Sequence, residues 1–281
     1  MNLLEAIVLG IIQGITEFLP ISSTGHLTVT GRLMGLISKE NPEHWTAFIA
    51  VIQLGTLVSI LIYFRKDILN ILRDFLRDNL SPGRLKYSEQ SGNSKMGWMI
   101  IIGTIPVVII GLALKPVIEG EFTKNLYVIA SSLILLAIIL AIAEKTAKFK
   151  KEMKDITIKD SLIIGICQSF ALIPGSSRSG TTITGGLFLG LKRETAARFS
   201  FLLSIPAVFA SGLLELYESL KYLQGDMVLN LVISTIVSGV CGYIAIDFLL
   251  KYLRKNTTFL FVWYRIAAGV FILILLLSKI I

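Results

Sequence analysis

"TEFLPISSTGHL", Thr16 to Leu27, sets a carboxylate, a run of hydroxyls, a glycine and an imidazole between two apolar runs near the start of the chain. Polar groups in such company are costly unless they are paired or used, so this stretch decides how the rest is read. The chain around it has 281 residues, 54% hydrophobic and 16% charged, with a mean hydropathy of +0.75. A soluble domain carries about 25% charged residues, so the composition is that of an integral membrane protein. The longest connection between apolar runs, Arg65 to Lys95, is too short for a soluble domain, and the chain reads as one membrane domain over 1–281. The first ten residues hold Glu5 and no Lys or Arg, so they lack the basic flank of a cleavable signal and are expected to belong to the fold.

A membrane-spanning helix needs roughly 20 apolar residues. Six segments qualify: Trp45–Phe64, Met96–Leu114, Leu126–Ala143, Phe199–Tyr217, Met227–Leu250 and Phe259–Leu277. Two further apolar regions are interrupted. Leu3–Leu19 breaks at Pro20, passes through Ser22–Gly25, and resumes at His26 to end near Ile37. Leu162–Ile173 breaks at Pro174, passes through Gly175–Thr182, and resumes to Leu191. Irregular backbone at membrane depth survives only where protein buries it or a wet cavity takes it up. Both regions are therefore expected to be re-entrant helical hairpins. The fold class is an all-α polytopic membrane protein with six spans and two such hairpins.

Lys and Arg set the orientation. Arg65–Lys95 holds seven of them, Glu144–Asp160 six, Leu191–Arg198 three and Lys251–Thr258 three. The alternate loops Ser38–His44, Lys115–Asn125 and Glu218–Asp226 hold one, two and one. The positive-inside rule places the first set in the cytoplasm and both termini outside. The first hairpin then enters from the outer face and the second from the cytoplasmic face. The net charge of +8 is explained by these loops and by anionic lipid, and gives no reason to invoke nucleic acid. Cys167 and Cys241 lie in apolar runs and read as packing residues.

The two breaks echo each other. Gly10-Ile-Ile-Gln13 matches Gly165-Ile-Cys-Gln168, and Pro20-Ile-Ser-Ser-Thr-Gly25 matches Pro174-Gly-Ser-Ser-Arg-Ser-Gly180 with a one-residue gap. Each half continues with three spans, so the halves, about 1–143 and 160–281, form an inverted repeat. Such repeats place broken helices, and the site, near the bilayer midplane.

The chemistry concentrates in the breaks. Arg178 stands in "PGSSRSGTT", Pro174 to Thr182, among Ser176, Ser177, Ser179, Thr181 and Thr182 with Gly175 and Gly180. Glycines let backbone N–H groups approach an anion, and the helix resuming after the break turns its positive end toward it. Arginine adds a fork of donors suited to phosphate oxygens. In the first break, His26 follows Ser23 by one helical turn and could take a proton from that hydroxyl or from a water. Glu17 could orient the histidine, bind a metal, or act as acid or base. Gln13, one turn earlier on the same face, could hydrogen-bond the carboxylate or a ligand. Ser22 and Ser23 could equally satisfy broken backbone. Trp98, Trp263, Tyr63 and Tyr264 fall near span ends as an aromatic belt, and His44 beside Trp45 reads as interfacial. Arg265, just inside the last span, could snorkel or pair with a buried acid, and Asp247 is expected to be wet. No P-loop, paired-cysteine or HExxH pattern is present. The inventory suits attack on a phosphoanhydride carried by a lipid whose tail reaches the site between helices.

On these motifs the chain resembles the undecaprenyl-diphosphate phosphatase family, also called bacitracin resistance proteins. "QGITEFLPISSTGHL" is similar to the family's first signature, at Gln13, Glu17, Pro20, Ser22–Gly25 and His26, and "PGSSRSGTT" to its second. "VIQLGT", Val51–Thr56, is also family-like, and the resemblance runs the full length. It implies removal of the terminal phosphate of undecaprenyl diphosphate, releasing inorganic phosphate and the monophosphate carrier of peptidoglycan synthesis. By motif position, Ser23 is the implied nucleophile, His26 the base or its partner, and Glu17 the essential acid. Arg178 would bind the diphosphate, helped by Ser177 and Thr182. Ser22, Thr24, Gly25, Gly175, Ser176, Ser179, Gly180 and Gln13 complete the implied substrate site. The resemblance also implies an outward-opening site and a divalent cation, Mg²⁺ or Ca²⁺, on Glu17. At the first position of the family's (E/Q)xxxE pair the chain carries Gln13, not Glu, which leaves one fewer candidate metal ligand or base and shifts weight toward Ser23 and His26. The competing reading is a transporter or flippase of a polyprenyl phosphate lipid, since inverted repeats with discontinuous helices are common in carriers. A carrier needs Arg178 but no nucleophile beside a base.

Overall fold

The computed structural model describes residues 1–38, 42–80, 85–219 and 226–278. Parts of the loops Ser38–His44 and Glu218–Asp226 used for orientation therefore lie outside the described residues. In chain order the α-helices are α1 (Leu3–Phe18), α2 (Ser23–Leu33), α3 (Pro42–Tyr63), α4 (Arg65–Leu80), α5 (Gly92–Ala113), α6 (Lys115–Glu119), α7 (Leu126–Thr146), α8 (Ile158–Ser169), α9 (Arg178–Phe188), α10 (Arg193–Ser219), α11 (Asp226–Leu253) and α12 (Phe259–Leu277). Among the described residues there is no strand, only an isolated bridge between Lys151 and Leu191.

Six of these helices, α3, α5, α7, α10, α11 and α12, are long and apolar enough to cross a membrane, at the six places the hydropathy marks. Several run past the apolar stretch because polar residues cap them. Ser91 accepts from the Ser94 N–H and starts α5 ahead of Met96, whereas Asn125, accepting from Tyr127 and Val128, starts α7 at Leu126 itself. α8 likewise starts early, at a reciprocal Thr157–Asp160 cap. Arg65–Lys95 differs from a plain loop, since most of it is α4, starting two residues after α3 ends. α4 leaves Leu69, Leu72, Leu76 and Leu80 exposed along one side, the pattern of an interfacial helix.

Between lipid-exposed helices the hydrophobic effect supplies little drive, so close packing and interhelical hydrogen bonds must hold them. α1 packs on α11, α3 on α10 and α11, α5 on α8, and α7 on α12. Serine hydroxyls cross these seams to backbone carbonyls: Ser234 to Ala6 at 2.5 Å, Ser238 to Ile52 at 2.7 Å, and Ser161 to Met99. At the α5–α8 crossing the backbones nearly touch, and a Cβ on Gly165 would stand 2.1 Å from the Gly103 carbonyl oxygen. A buried cluster around Phe18, Phe64 and Phe201 fills the centre, with Phe18 edge-on to Phe201 at 5.2 Å between centroids. Cys167 and Cys241 are free, partly buried thiols.

Gly165→Val forces α5 and α8 apart, and overpacking of this kind costs about 1–3 kcal/mol or more. The expected result is a clear drop in melting temperature in detergent, while Ile166→Val on the exposed face leaves it in place. Equal melting of the two variants would count against the crossing.

Candidate functional site at two broken helices

Both interrupted regions end in the same local device. α1 stops at Phe18 and the chain turns through Leu19–Ile21 before α2 begins. α8 passes into a short 3₁₀ turn, Phe170–Leu172, and reaches α9 through Gly175 at φ +85°. The residue before each second helix is a serine in the left-handed region, Ser22 at φ 75° and Ser177 at φ 68°. A non-glycine residue there costs about 1–3 kcal/mol and persists only where its surroundings fix it. Each serine caps its helix, Ser22 Oγ accepting from the Gly25 N–H at 3.2 Å and Ser177 Oγ from the Gly180 N–H at 3.1 Å. Ser23 and Arg178 are therefore equivalent, each the first residue of a helix whose leading N–H groups have no intrahelical acceptor.

These two equivalent residues meet on one carboxylate. Arg178 Nη2 donates to Glu17 Oε1 at 2.7 Å, while Ser23 Oγ and Gln13 Nε2 donate to Glu17 Oε2 at 2.7 and 2.9 Å. Glu17 and Arg178 side chains are only 5% and 16% exposed. Ser179 Oγ adds a link from α9 to the Leu19 carbonyl at 3.0 Å. Several buried polar atoms here have no partner among the described residues: Arg178 Nη1, Gln13 Oε1, Ser176 Oγ and both amide atoms of Gln168. Buried polar atoms are seldom left bare, and their clustering beside an ion pair marks a place prepared for a polar ligand.

A cavity of about 380 Å³ opens from this cluster. Its floor carries Glu17, Ser22, Ser23, Thr24, Ser177 and Arg178, with Gly175, Gln53 and Gln168 beside them. Its walls are apolar, from Val107 to Leu112 on α5 and Ala207 to Leu214 on α10, with Trp45 and Ile49 on α3. Several wall residues, Val108, Leu112, Ile173 and Leu214, are also exposed on the outside of the bundle, so the apolar wall is continuous with the lipid-facing surface. Lys115, Lys124 and Glu215 stand at the far end.

The structure separates the sequence-predicted residues into two groups. Ser22, Ser23, Thr24, Glu17, Gly175, Ser177 and Arg178 line the cavity, whereas Gln13, Gly25, Ser176, Ser179, Gly180 and Thr182 stand behind it. Gly25 and Gly180 spend their N–H groups on the caps, and Thr182 Oγ1 lies 2.7 Å from the Arg178 carbonyl and 2.5 Å from Ser200 Oγ.

The pairing of Ser23 with His26 is not found. His26 Nδ1 lies 2.7 Å from the Ser22 carbonyl and Nε2 2.7 Å from the Tyr264 hydroxyl, and His26 does not line the cavity. Helical side chains lean toward the preceding turn, which carries His26 back to the carbonyl four residues earlier, while Ser23 leads the helix and faces α1. Tyr264 is accordingly a partner of His26, stacked on it at 5.6 Å, and more than an aromatic-belt residue. Arg265 does not snorkel: it is fully buried, and among the described residues it meets no acid and donates only to backbone carbonyls. Gln53 and Gln168 are site residues not singled out from the sequence, although the GIIQ/GICQ echo and the VIQLGT stretch contain them.

Chemically, this is a hydroxyl aimed at a carboxylate, next to a half-free arginine and two helix amino ends, at the foot of an apolar cleft. The sequence model of a family described as bacitracin resistance protein BacA matches residues 6–271. A protein of Syntrophobacter fumaroxidans named undecaprenyl-diphosphatase is 55% identical over 269 residues, 96% of this chain and 95% of its own. Proteins of the same name from Chloroherpeton thalassium and Chlorobium luteolum are 51% and 50% identical over 98% of this chain, covering 97% and 98% of their own.

Removing one partner of a buried ion pair leaves an uncompensated charge, at a cost of about 3–5 kcal/mol. Glu17→Gln is expected to lower unfolding stability in detergent by that order, and adding Arg178→Met to recover most of it. Strict additivity of the two changes would show that the pair is not coupled.

Proposed function

Because the chain belongs to the bacitracin resistance protein BacA family, we propose a function from the membership and the site together. The protein is an undecaprenyl-diphosphate phosphatase, removing the terminal phosphate of undecaprenyl diphosphate and returning the monophosphate carrier to peptidoglycan synthesis. The relatives carrying that name cover nearly the whole chain, and the transport alternative is not favoured. The single observation that carries the mechanism is Ser23 Oγ donating to Glu17 Oε2 at 2.7 Å while the same carboxylate holds Arg178.

In the proposed mechanism the terminal phosphate sits over the amino ends of α2 and α9, where leading N–H groups favour an oxyanion. Arg178 keeps Nη2 on Glu17 and turns its unpartnered Nη1 to a phosphate oxygen. Ser23 Oγ attacks phosphorus and gives its proton to Glu17; the phosphorus bond to the bridging oxygen breaks and the lipid monophosphate leaves. Glu17 passes the proton to the departing group, then takes one from the water that attacks the phosphoserine and returns it to Ser23 Oγ as the Oγ–phosphorus bond breaks and inorganic phosphate leaves. His26 stays outside these transfers and fixes the start of α2 through the Ser22 carbonyl. The prenyl tail lies along the α5–α10 wall and leaves the bundle where Val108, Leu112 and Leu214 face lipid.

The same reading makes α1–α2 and α8–α9 re-entrant hairpins of an inverted repeat within one domain. Its support is the shared serine device at residues 22 and 177, and the reciprocal packing of α1 on α11 and α8 on α5. The cavity's far end lies among Lys115, Lys124 and Glu215, on or beside the weakly basic connections, which supports an outward-facing site in the bacterial cell membrane. Among the described residues no group of three or more His, Cys, Asp and Glu gathers to hold a metal. Glu17 and the unpartnered Gln13 Oε1 still offer hard oxygen donors. A Mg²⁺ or Ca²⁺ ion held there chiefly by substrate phosphates fits such a sparse set, and when bound would neutralise phosphate charge.

Purified wild-type protein is expected to release phosphate from the diphosphate lipid, with Ser23→Ala, Glu17→Gln and Arg178→Ala each lowering kcat by about 10²–10⁴-fold. Quenched turnover should leave label on a peptide spanning Ser22–His26, and label-free turnover would exclude the covalent route. Chelation is expected to suppress the rate reversibly, with Mg²⁺ or Ca²⁺ restoring it; full activity in metal-free buffer would remove the cation from the scheme.

A further inference from the structure

Arg265 is among the largest side chains in the molecule with no exposed surface. A buried guanidinium ordinarily sits on a carboxylate, yet no carboxylate among the described residues pairs with it. Instead it reaches five backbone carbonyls. Nε donates to Leu133 at 3.3 Å, and Nη2 to Ser132 at 3.5 Å, Gly175 at 3.3 Å and Ser176 at 2.9 Å. Nη1 reaches the Pro20 carbonyl at 3.5 Å. Two of these acceptors belong to α7, one to the first break and two to the second. Three chain segments remote in sequence thus converge on one planar fork, whose Nη2 shares its two N–H groups among three of the carbonyls.

The contacts bear on the reacting groups. Pro20 lies three residues before Ser23 and Ser176 two before Arg178, so both arms of the site are tied to one point. A trans peptide sets C=O and N–H in opposite directions, and no cis bond is present among the described residues. With the Ser176 carbonyl on Arg265, the Ser177 N–H faces away from it; Ser177 lines the cavity, and among the described residues that N–H donates to no backbone group. The charge matters too. Glu17 pairs with Arg178, whereas Arg265 has no carboxylate partner among the described residues, so the groups gathered at the two breaks carry one cation in excess. The neighbouring Tyr264 holds His26, which puts a second tie to the first arm on the same turn of α12.

We propose that Arg265 is a positioning residue for the reaction: it sets the separation of Ser23 and Arg178, and its uncompensated charge is balanced by the substrate's phosphates. This rests on the phosphatase reading above. The tests are Arg265→Lys, which keeps the charge and loses the fork, Arg265→Gln, which loses both, and Gly180→Ala, whose new Cβ would stand 2.6 Å from Nη1 and displace the fork with its charge intact.

Phosphate release, inhibition by inorganic phosphate and melting temperature would be measured for each in detergent. Misplacement of reacting groups by an ångström costs about 100-fold, so all three variants are expected to lose kcat on that scale. Loss of one charge near the anion site weakens inhibition by inorganic phosphate about tenfold; that weakening is expected of Arg265→Gln alone. Folded Arg265→Gln with wild-type kcat and KM overturns the proposal, and equal phosphate inhibition in the Lys and Gln variants overturns its charge component. Should neither Arg265 variant fold, Gly180→Ala decides: wild-type kcat overturns the proposal and a selective kcat loss supports it. An inactive wild-type protein would instead sink the phosphatase reading, so the two failures are distinguishable.

Discussion

Glu17 and Arg178 cannot exist apart in this bundle. Each is charged, each is nearly sealed from water, and neither has another ion-pair partner among the described residues. Their 2.7 Å contact joins helices separated by 161 residues of chain and obliges two irregular segments to meet at one depth. The rest of the architecture serves that meeting. Serine caps hold the irregular backbone, the glycine-tight crossing of α5 and α8 brings the second arm inward, and the spans seal the outside. An ion pair of this kind is weak evidence for stability, because desolvation offsets the attraction; its value is in fixing where two arms come together.

The broad architecture was legible because each feature leaves a periodic or compositional mark. Six apolar runs gave six spans, and Pro20 and Pro174 lay close to where helical structure stops. Arg178 stood out as a charge in an apolar segment. What stayed hidden depends on direction within a helix and on contacts between remote segments. His26 follows Ser23 at helical spacing, yet the Ser22 cap turns the two side chains to different neighbours. Tyr264 resembled a belt residue because nothing local reveals a partner 238 positions away. Arg265 was unassignable for a deeper reason: its acceptors are backbone carbonyls, which every residue carries, so no side-chain pattern records them. Gln168 sits in a visible echo of Gln13, but its place beside the cavity depends on how α8 packs against the rest of the bundle.

The two arms use one local plan for different ends. A left-handed serine caps a short helix, and the next residue points at the shared carboxylate. In one arm that residue is Ser23, small and able to bond to phosphorus; in the other it is Arg178, long and permanently charged. Changing a single first-turn residue thus sets a small hydroxyl in one arm and a long cation in the other, with the backbone frame left nearly alike.

The clasp on α12 also carries a consequence for biogenesis. Pro20 and Arg265 are 245 residues apart, so a ribosome working at 5–20 residues per second takes roughly ten to fifty seconds to supply the second after the first. Throughout that interval the first arm is made but not fastened, and its polar backbone must be sheltered by the insertion machinery or by water. Ser23 therefore acquires its final surroundings only when the last spanning helix has entered the membrane.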